Sequence, residues 1–255
     1  MTDYKKLCER VRCVVPVSGG KDSQACLKLA VNQFAKDEIV ALFCDTQFDH
    51  PKTYAHLETI ESLYGVKITR VSDGDVTTRC LRYGRFPNGA ARFCTDDLKI
   101  KPTKRFIENL AARQGEGFEV WYGMRGDESP DRAKRYAGKV DSDLYAPHEI
   151  LPTKYPAHLF TMGVRFRLPI LEWSTVEVMT YLEGTHNPLY NEGFNRVGCF
   201  PCLASGDKWK KKAFAHDETG KKHLKLVQIV EQRTGKSVFT TNPKDDTQGC
   251  LICSI

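Results

Sequence analysis

Apolar and polar positions along this chain follow two rhythms, and each change of rhythm marks the start of an element. Val14-Val15-Pro16-Val17 is a short apolar run, and behind it Leu27, Ala30, Val31 and Phe34 fall at i, i+3, i+4 and i+7, the spacing of one helical face. Strand, loop, helix is the expected order. Ile39-Val40-Ala41-Leu42-Phe43 is unbroken by polar residues, as a strand buried on both faces should be. After Pro51, the residues Tyr54, Leu57, Ile60 and Tyr64 share a helical face, and Gly65 supplies the stop. Val66 to Val71 and Phe118 to Tyr122 read as further strands, and Phe166 to Leu171 as another ordered run. Ser174-Thr175-Val176-Glu177 spells a capping box, which predicts a helix to about Gly184.

Strands alternating with helical patterns predict an α/β class, with a Rossmann-like parallel sheet carrying helices on both faces. Pro16 sits awkwardly in a central strand because it removes a ladder donor, so it must lie at the strand's end or face an unpaired position. Asp127 to Met162 is rich in prolines and charges without a sustained period and reads as a long functional loop. From Gly198 the composition shifts to a cysteine pair, the run Lys208-Trp209-Lys210-Lys211-Lys212, a helix around Leu224 to Gln232 and a tail ending Cys250-Leu251-Ile252-Cys253. The shift divides the chain into an α/β domain over residues 1–203 and a helical segment with a cysteine-bearing tail over residues 204–255, packed on it.

The six residues between the first strand and helix, Ser18-Gly19-Gly20-Lys21-Asp22-Ser23, have the makings of a phosphate cradle. Two glycines let backbone N–H groups close around an anion, the helix N-terminus adds partial positive charge, and Lys21 adds a full one. The pattern is not G-x-x-x-x-G-K-[ST], so it is not a Walker A loop. A glycine-rich surface turn is the plainer alternative. At 255 residues the chain can bury a sizeable core. No stretch approaches the apolar length of a membrane span and Met1-Thr2-Asp3-Tyr4-Lys5-Lys6 opens no signal peptide, so the expectation is a soluble, cytoplasmic protein. In that compartment ten cysteines argue for metal or redox chemistry at a subset. Cys8, Cys13, Cys26, Cys44 and Cys80 are scattered and read as structural thiols. The net charge of +6 admits anionic substrates or nucleic acid without demanding either.

The hexapeptide resembles the SGGKDS signature of the PP-loop ATP pyrophosphatases, which hold the β,γ-pyrophosphate and expose the α-phosphorus to attack. Four further stretches resemble one branch of that superfamily, the phosphoadenosine phosphosulfate (PAPS) reductase-like proteins. They are Asp45-Thr46 with Pro51-Lys52-Thr53-Tyr54, Cys94 through Pro102, Gly123 through Ser129 with Arg132, and Pro169 through Cys202, which contains Asn187-Pro188-Leu189-Tyr190 and Gly198-Cys199-Phe200-Pro201-Cys202. The resemblance covers roughly residues 10–210 and is specific when the motifs are taken together. It implies an adenine nucleotide α-hydrolase-like fold that uses ATP and Mg²⁺. Ser18, Gly19, Gly20, Lys21, Asp22 and Ser23 would hold the pyrophosphate, Asp45 would lie near the adenosine or the Mg²⁺, and Arg125, Glu128, Ser129 and Arg132 would meet the nucleotide. Lys21, Asp22 and Arg125 would be catalytic. Read without the family, Asp45 is a strand-end residue capping a turn and the other four form a solvated charged loop.

Iron–sulfur members of the family hold a [4Fe–4S] cluster with a Cys-Cys pair and a later Cys-x-x-Cys. Here Cys199 and Cys202 match the second element, while Cys94 stands alone for the first, beside Thr95. Because a cubane needs four ligands, Cys250 and Cys253 become candidates for the fourth. A zinc site of Cys199, Cys202, Cys250 and Cys253 is the rival, and unligated thiols the third alternative. The family's reductases carry their nucleophilic cysteine in a C-terminal Glu-Cys-Gly-Leu-His, whereas this tail reads Gln248-Gly249-Cys250-Leu251-Ile252-Cys253-Ser254-Ile255. The pattern is therefore most similar to the DNA phosphorothioation pyrophosphatases. That implies adenylation of a substrate oxygen for sulfur insertion, with nucleic acid as substrate and a sulfur donor such as a cysteine desulfurase as partner. Lys208 to Lys212 with Trp209 would contact a nucleic-acid backbone, or else form a solvated basic helix face. Reduction of PAPS or adenosine phosphosulfate, using Cys250 or Cys253, is the alternative activity, and a non-catalytic nucleotide-binding redox sensor the second alternative.

Overall fold

Five strands, β1 (Cys13–Val17), β2 (Ile39–Cys44), β3 (Ile68–Val71), β4 (Glu119–Trp121) and β5 (Arg165–Arg167), form one parallel sheet in the order β3-β2-β1-β4-β5. They come from a computed structural model that describes residues 10–89 and 91–239. The helices are α1 (Lys21–Gln33), α2 (Pro51–Tyr64), α3 (Val76–Tyr83), α4 (Phe93–Thr95), α5 (Lys101–Gln114), α6 (Pro130–Arg135), α7 (Pro147–Ile150), α8 (His158–Thr161), α9 (Thr175–Tyr181), α10 (Asp207–His216) and α11 (Glu218–Thr234).

The strands alternate their side chains between two cores, as a pleated backbone must. Cys13, Val15 and Val17 of β1 join Leu27 and Ala30 of α1, Leu57 and Ile60 of α2 and Val178 of α9 on one face. Val14, Val40 and Leu42 join Phe106, Ile107 and Leu110 of α5 on the other. Both faces are covered, which is why β1 and β2 read as continuous apolar runs. Among the described residues no helix is long and apolar enough to cross a membrane.

The winding reverses beside β1, with β2 on one flank and β4 on the other. Such a switch point opens a crevice at the strands' carboxyl ends. Here the crevice is widened: β1 stays in register with β2 through Val17, but its register with β4 ends at Val14. That also accommodates Pro16, because the β4 ladder is already finished where the proline removes a donor.

The capping box forms as expected, with Ser174 Oγ accepting from Glu177 N at 3.2 Å and Glu177 accepting from Ser174 N at 2.7 Å. α2 stops at Gly65 in the left-handed region, φ +67°. Residues 127–162 differ from the single long loop expected. They contain α6, α7 and α8, and Tyr136, Ile150, Leu151, Tyr155 and Leu159 anchor them in the α5-side core. Helices of four to six residues are too short to display a period. α11 is longer than the expected Leu224 to Gln232 and packs Val227 and Val230 against Val76 and Cys80 of α3.

Candidate active site

Ser18 to Gly20 leave β1 at the switch point and lead directly into α1. Gly19 has φ +71°, and a Cβ there would lie 2.6 Å from Thr53 Cγ2, so backbone and packing both require glycine. Gly20 is the N-cap of α1 and offers no side-chain oxygen to its first turn; Lys21 N donates to the Tyr190 hydroxyl at 3.1 Å. The loop is braced from within and from outside. Ser23 Oγ accepts from Ser18 N at 3.0 Å and donates to Gly20 O at 3.1 Å, while the fully buried Asn187 donates to Gly19 O at 3.1 Å.

At the head of α1, Asp22 lies between two cations. Lys21 Nζ approaches its carboxylate oxygens at 3.0 and 2.8 Å, and Arg125 Nε approaches one of them at 2.7 Å. Burial pulls the Lys21 pKa down, with Asp22 opposing the shift. With Asp127 also paired to Arg125, two cations face two carboxylates, and the N-terminus of α1 adds the partial positive charge that an anion at the loop would meet. Arg125 is buried, and its other nitrogens bond Asp127 at 3.1 Å, Trp173 O at 3.2 Å and Thr175 Oγ1 at 3.0 Å. Its guanidinium therefore works as a strut between α1 and the start of α9. Gly123 lets the end of β4 pass α1, because a Cβ would fall 2.8 Å from the Asp22 carbonyl carbon.

The other expected nucleotide residues flank this centre. Glu128 ion-pairs with the buried Arg132, and Ser129 caps α6 by accepting from Arg132 N at 3.3 Å. Asp45, just past β2, accepts from Gln47 N at 2.8 Å and from the Tyr54 hydroxyl at 2.7 Å. The turn-capping geometry expected of a strand-end Asp is thus present, at the carboxyl edge where the sheet opens.

Cys94 on α4 and Cys199 and Cys202 on the loop before α10 share one neighbourhood with the buried Lys99. Against the pull of burial, Cys199, Asp49 and Cys202 hold the Lys99 ammonium above its usual pKa. Burial pushes the Cys94 and Cys199 thiols up to about 12. Cys199 Sγ lies 3.2 Å from Thr46 Oγ1, which donates to Asp49 at 3.0 Å. A cavity of about 60 Å³ opens beside Cys199 and Cys202, with Lys99, Arg196 and Trp209 on its walls. Among the described residues no three Cys, His, Asp or Glu side chains converge as metal ligands, so these thiols do not complete a site by themselves. The further ligands expected, Cys250 and Cys253, lie outside the described residues, as does Cys8. Cys13, Cys26, Cys44 and Cys80 are buried free thiols, as expected of structural cysteines.

The lysine run is corrected in one respect. Lys210 is 2% exposed, pairs with Asp207 at 2.8 Å and donates to Val238 O at 2.5 Å, and Lys212 donates to Gly193 O. The four lysines do not share one solvated face. Asn187, Tyr190, Asp127 and Thr175 were missed as loop and strut partners. All four lay in stretches the sequence singled out, Asn187 and Tyr190 in Asn187-Pro188-Leu189-Tyr190, Asp127 in Gly123 to Ser129 and Thr175 in the capping box, but for other reasons.

A parallel sheet with a braced, glycine-bearing anion cradle at its switch point defines a PP-loop nucleotide-binding protein. The family model for the phosphoadenosine phosphosulfate reductase domain matches residues 12–205, and the chain belongs to that family. An uncharacterized protein of Methanocaldococcus jannaschii is 32% identical over 208 residues, 79% of this chain and 38% of that protein. An adenosine 5′-phosphosulfate reductase of Rhodococcus erythropolis is 27% identical over 177 residues, 64% of this chain and 58% of the reductase. This chain thus matches less than two thirds of the length of either relative. A PAPS reductase structure from Candida auris, in complex with phosphate, superposes with a TM-score of 0.49 at 13% identity, covering 74% of this chain and 82% of that one.

Proposed function

We propose that this chain is an ATP pyrophosphatase that adenylates an oxygen of a nucleic-acid substrate so that sulfur can replace it. The observation that carries this reading is the Ser18 to Ser23 loop at the switch point, with Lys21, Asp22 and Arg125 joined at the head of α1. In the reaction a substrate oxygen attacks the α-phosphorus, a new P–O bond forms, the α,β-bridging bond breaks, and pyrophosphate leaves with the electron pair. The loop N–H groups and Lys21 would take up its growing negative charge, and Asp22 would face the Mg²⁺ that accompanies ATP. Arg125, with its nitrogens engaged by protein groups, would position Asp22 rather than grip the α-phosphate. Asp45 would meet the adenosine side, and Glu128, Ser129 and Arg132 would close the opposite wall. Oxygen bearing AMP is a far better leaving group than oxide, so a sulfide-level nucleophile can then displace it, with AMP departing on that oxygen; persulfide sulfur from a donor such as a cysteine desulfurase would also need a thiol reductant to cleave the remaining S–S bond. Cys94, Cys199 and Cys202 with Cys250 or Cys253 would hold a [4Fe–4S] cluster, or Cys199, Cys202, Cys250 and Cys253 a zinc ion.

The test is ATP-dependent pyrophosphate release in the presence of DNA or RNA. Lys21→Ala should lose about 2–4 kcal/mol of transition-state stabilisation, roughly 30- to 1,000-fold in turnover. Near wild-type turnover in that variant would remove the basis of the proposal. The match to an adenosine 5′-phosphosulfate reductase favours a second reading. Thioredoxin-dependent sulfite release from a sulfonucleotide, without pyrophosphate production, would establish it instead.

A further inference from the structure

The segment that carries Cys94 has two sides. Between α4 and α5, residues Asp96–Ile100 form a π-type turn, a departure from α-geometry often found at functional sites. Lys99 lines the cysteine cavity, whereas Phe93, Asp96, Asp97 and Ile100 line a separate and larger cleft of about 460 Å³. Cations reach this cleft from three parts of the chain: Arg85 and Arg92 between α3 and α4, Lys101 and Lys104 on the first turn of α5, and Lys154 after α7. Against these five stand Asp96 and Asp97, a net charge of +3 on the lining. The two acids serve to orient lysines, Asp97 bonding Lys101 at 2.5 Å and Asp96 bonding Lys154 at 2.7 Å. Tyr83 completes the rim. Its ring stacks on Phe93 at 4.2 Å and 14°, and its hydroxyl donates to Asp97 at 3.1 Å, yet the residue remains 42% exposed.

A cation-lined groove with a fixed, exposed aromatic ring is what a single strand needs, since its phosphates seek charge and its unpaired bases seek a flat apolar surface. We propose that this cleft binds a single-stranded stretch of nucleic acid, with phosphates along Arg85, Lys101, Lys104 and Lys154 and one base stacked on Tyr83. The proposal deepens the reading of a nucleic-acid acceptor above and rests on it. It also places the polymer against the segment that bears Cys94. A single phosphate would leave most of this charge unanswered, so a polymer fits better than a mononucleotide. In the Lys208 to Lys212 run, by contrast, Lys210 is turned into the protein and Lys212 is tied to Gly193 O.

The experiment is fluorescence anisotropy of the full chain with a labelled single-stranded oligonucleotide of about a dozen nucleotides, over a range of salt concentrations. Replacing Arg85, Lys104 and Lys154 together by alanine should weaken binding at least about tenfold and lower the salt slope by about two, at roughly 0.7 per lost phosphate contact. Tyr83→Ala should weaken binding about five- to a hundredfold with the slope unchanged, and Tyr83→Trp should retain it. ATP affinity, measured by calorimetry on the same preparations, should stay at wild type and so verify the fold. Unchanged affinity and slope in the triple variant would overturn the inference. So would a duplex of the same sequence that binds as tightly and ignores Tyr83→Ala, or a mononucleotide that binds as tightly as the strand. If ATP is turned over but no oligonucleotide binds, the cleft assignment fails while the ATP reading stands. If Lys21→Ala keeps its turnover, the ATP reading fails while oligonucleotide binding can still be scored.

Discussion

Gly123→Ala is the smallest perturbation that strikes the proposed centre without touching any of its side chains. Gly123 follows β4 and passes so close to the start of α1 that an added Cβ would fall 2.8 Å from the Asp22 carbonyl carbon, 2.9 Å from its oxygen and 3.0 Å from Ser23 N. All three are backbone atoms, so no side chain can swing aside. The closest approach is about 0.6 Å short of the 3.4 Å at which contact becomes ordinary. Either the end of β4 or the first turn of α1 must move. If β4 moves, the buried Arg125 two residues on carries its 2.7 Å bond to Asp22 with it; if α1 moves, the loop behind Lys21 opens. Overpacking of this kind costs about 1–3 kcal/mol in stability. A displacement of that size at reacting groups costs up to about a hundredfold in turnover. Urea unfolding, ATP calorimetry and pyrophosphate release on one preparation measure all three quantities. Gly126→Ala is the control, since its Cβ would meet nothing nearer than Leu171 O at 3.6 Å, and it should stay within about 0.5 kcal/mol of wild type. Wild-type ATP affinity and turnover in Gly123→Ala would refute the argument that this close approach sets the geometry of the loop.

Two further outcomes follow from buried polar groups. His56 is buried, its Nε2 donates to Gln24 Oε1 at 2.9 Å, and burial pushes its pKa down to about 4. The unfolded chain gains the proton first, so this stabilisation is complete above about pH 6.5 and lost as pH falls towards 4. Between pH 7 and pH 5, urea unfolding of His56→Gln should lose about 1–2 kcal/mol less than wild type, and an equal loss would contradict the assignment. Lys210→Met should destabilise the protein by about 1–3 kcal/mol through loss of its contacts to Asp207 and Val238 while leaving oligonucleotide affinity unchanged. Weaker oligonucleotide binding at unchanged stability would return the lysine run to the nucleic-acid surface.

What was legible in the sequence was contiguous. The hexapeptide, the Gly65 stop and the Ser174 capping box each concern residues within one turn of one another, and local geometry decides them. The braces of the loop were not, because Asn187 and Tyr190 stand 168 and 169 residues away from the atoms they hold. Gly123 lay inside a recognised motif, yet only the approach of two backbones explains why it is glycine. The lysine run misled for a geometrical reason. Residues on a helix advance by about 100° each, so Lys210 lies on the opposite side of α10 from Lys208, Lys211 and Lys212 and is turned into the protein.

That same geometry explains why the basic cleft escaped notice while the weaker signal stood out. A cationic surface depends on charges that converge in space, and here they converge from the turn before α4, the first turn of α5 and the stretch after α7. In sequence Arg85 and Lys154 are separated by β4 and much of the α5-side core; in the fold they share one cleft with Tyr83. The acids within the cleft strengthen the case. Asp96 and Asp97 open the π-type turn and fix Lys154 and Lys101 in place, so the ammonium groups are pre-positioned rather than left to wander in solvent. Less rotamer freedom then remains to be lost when a phosphate arrives. One short segment therefore turns Lys99 towards the cysteines and Asp97 towards the cleft, and a strand held there would lie against the wall that bears Cys94.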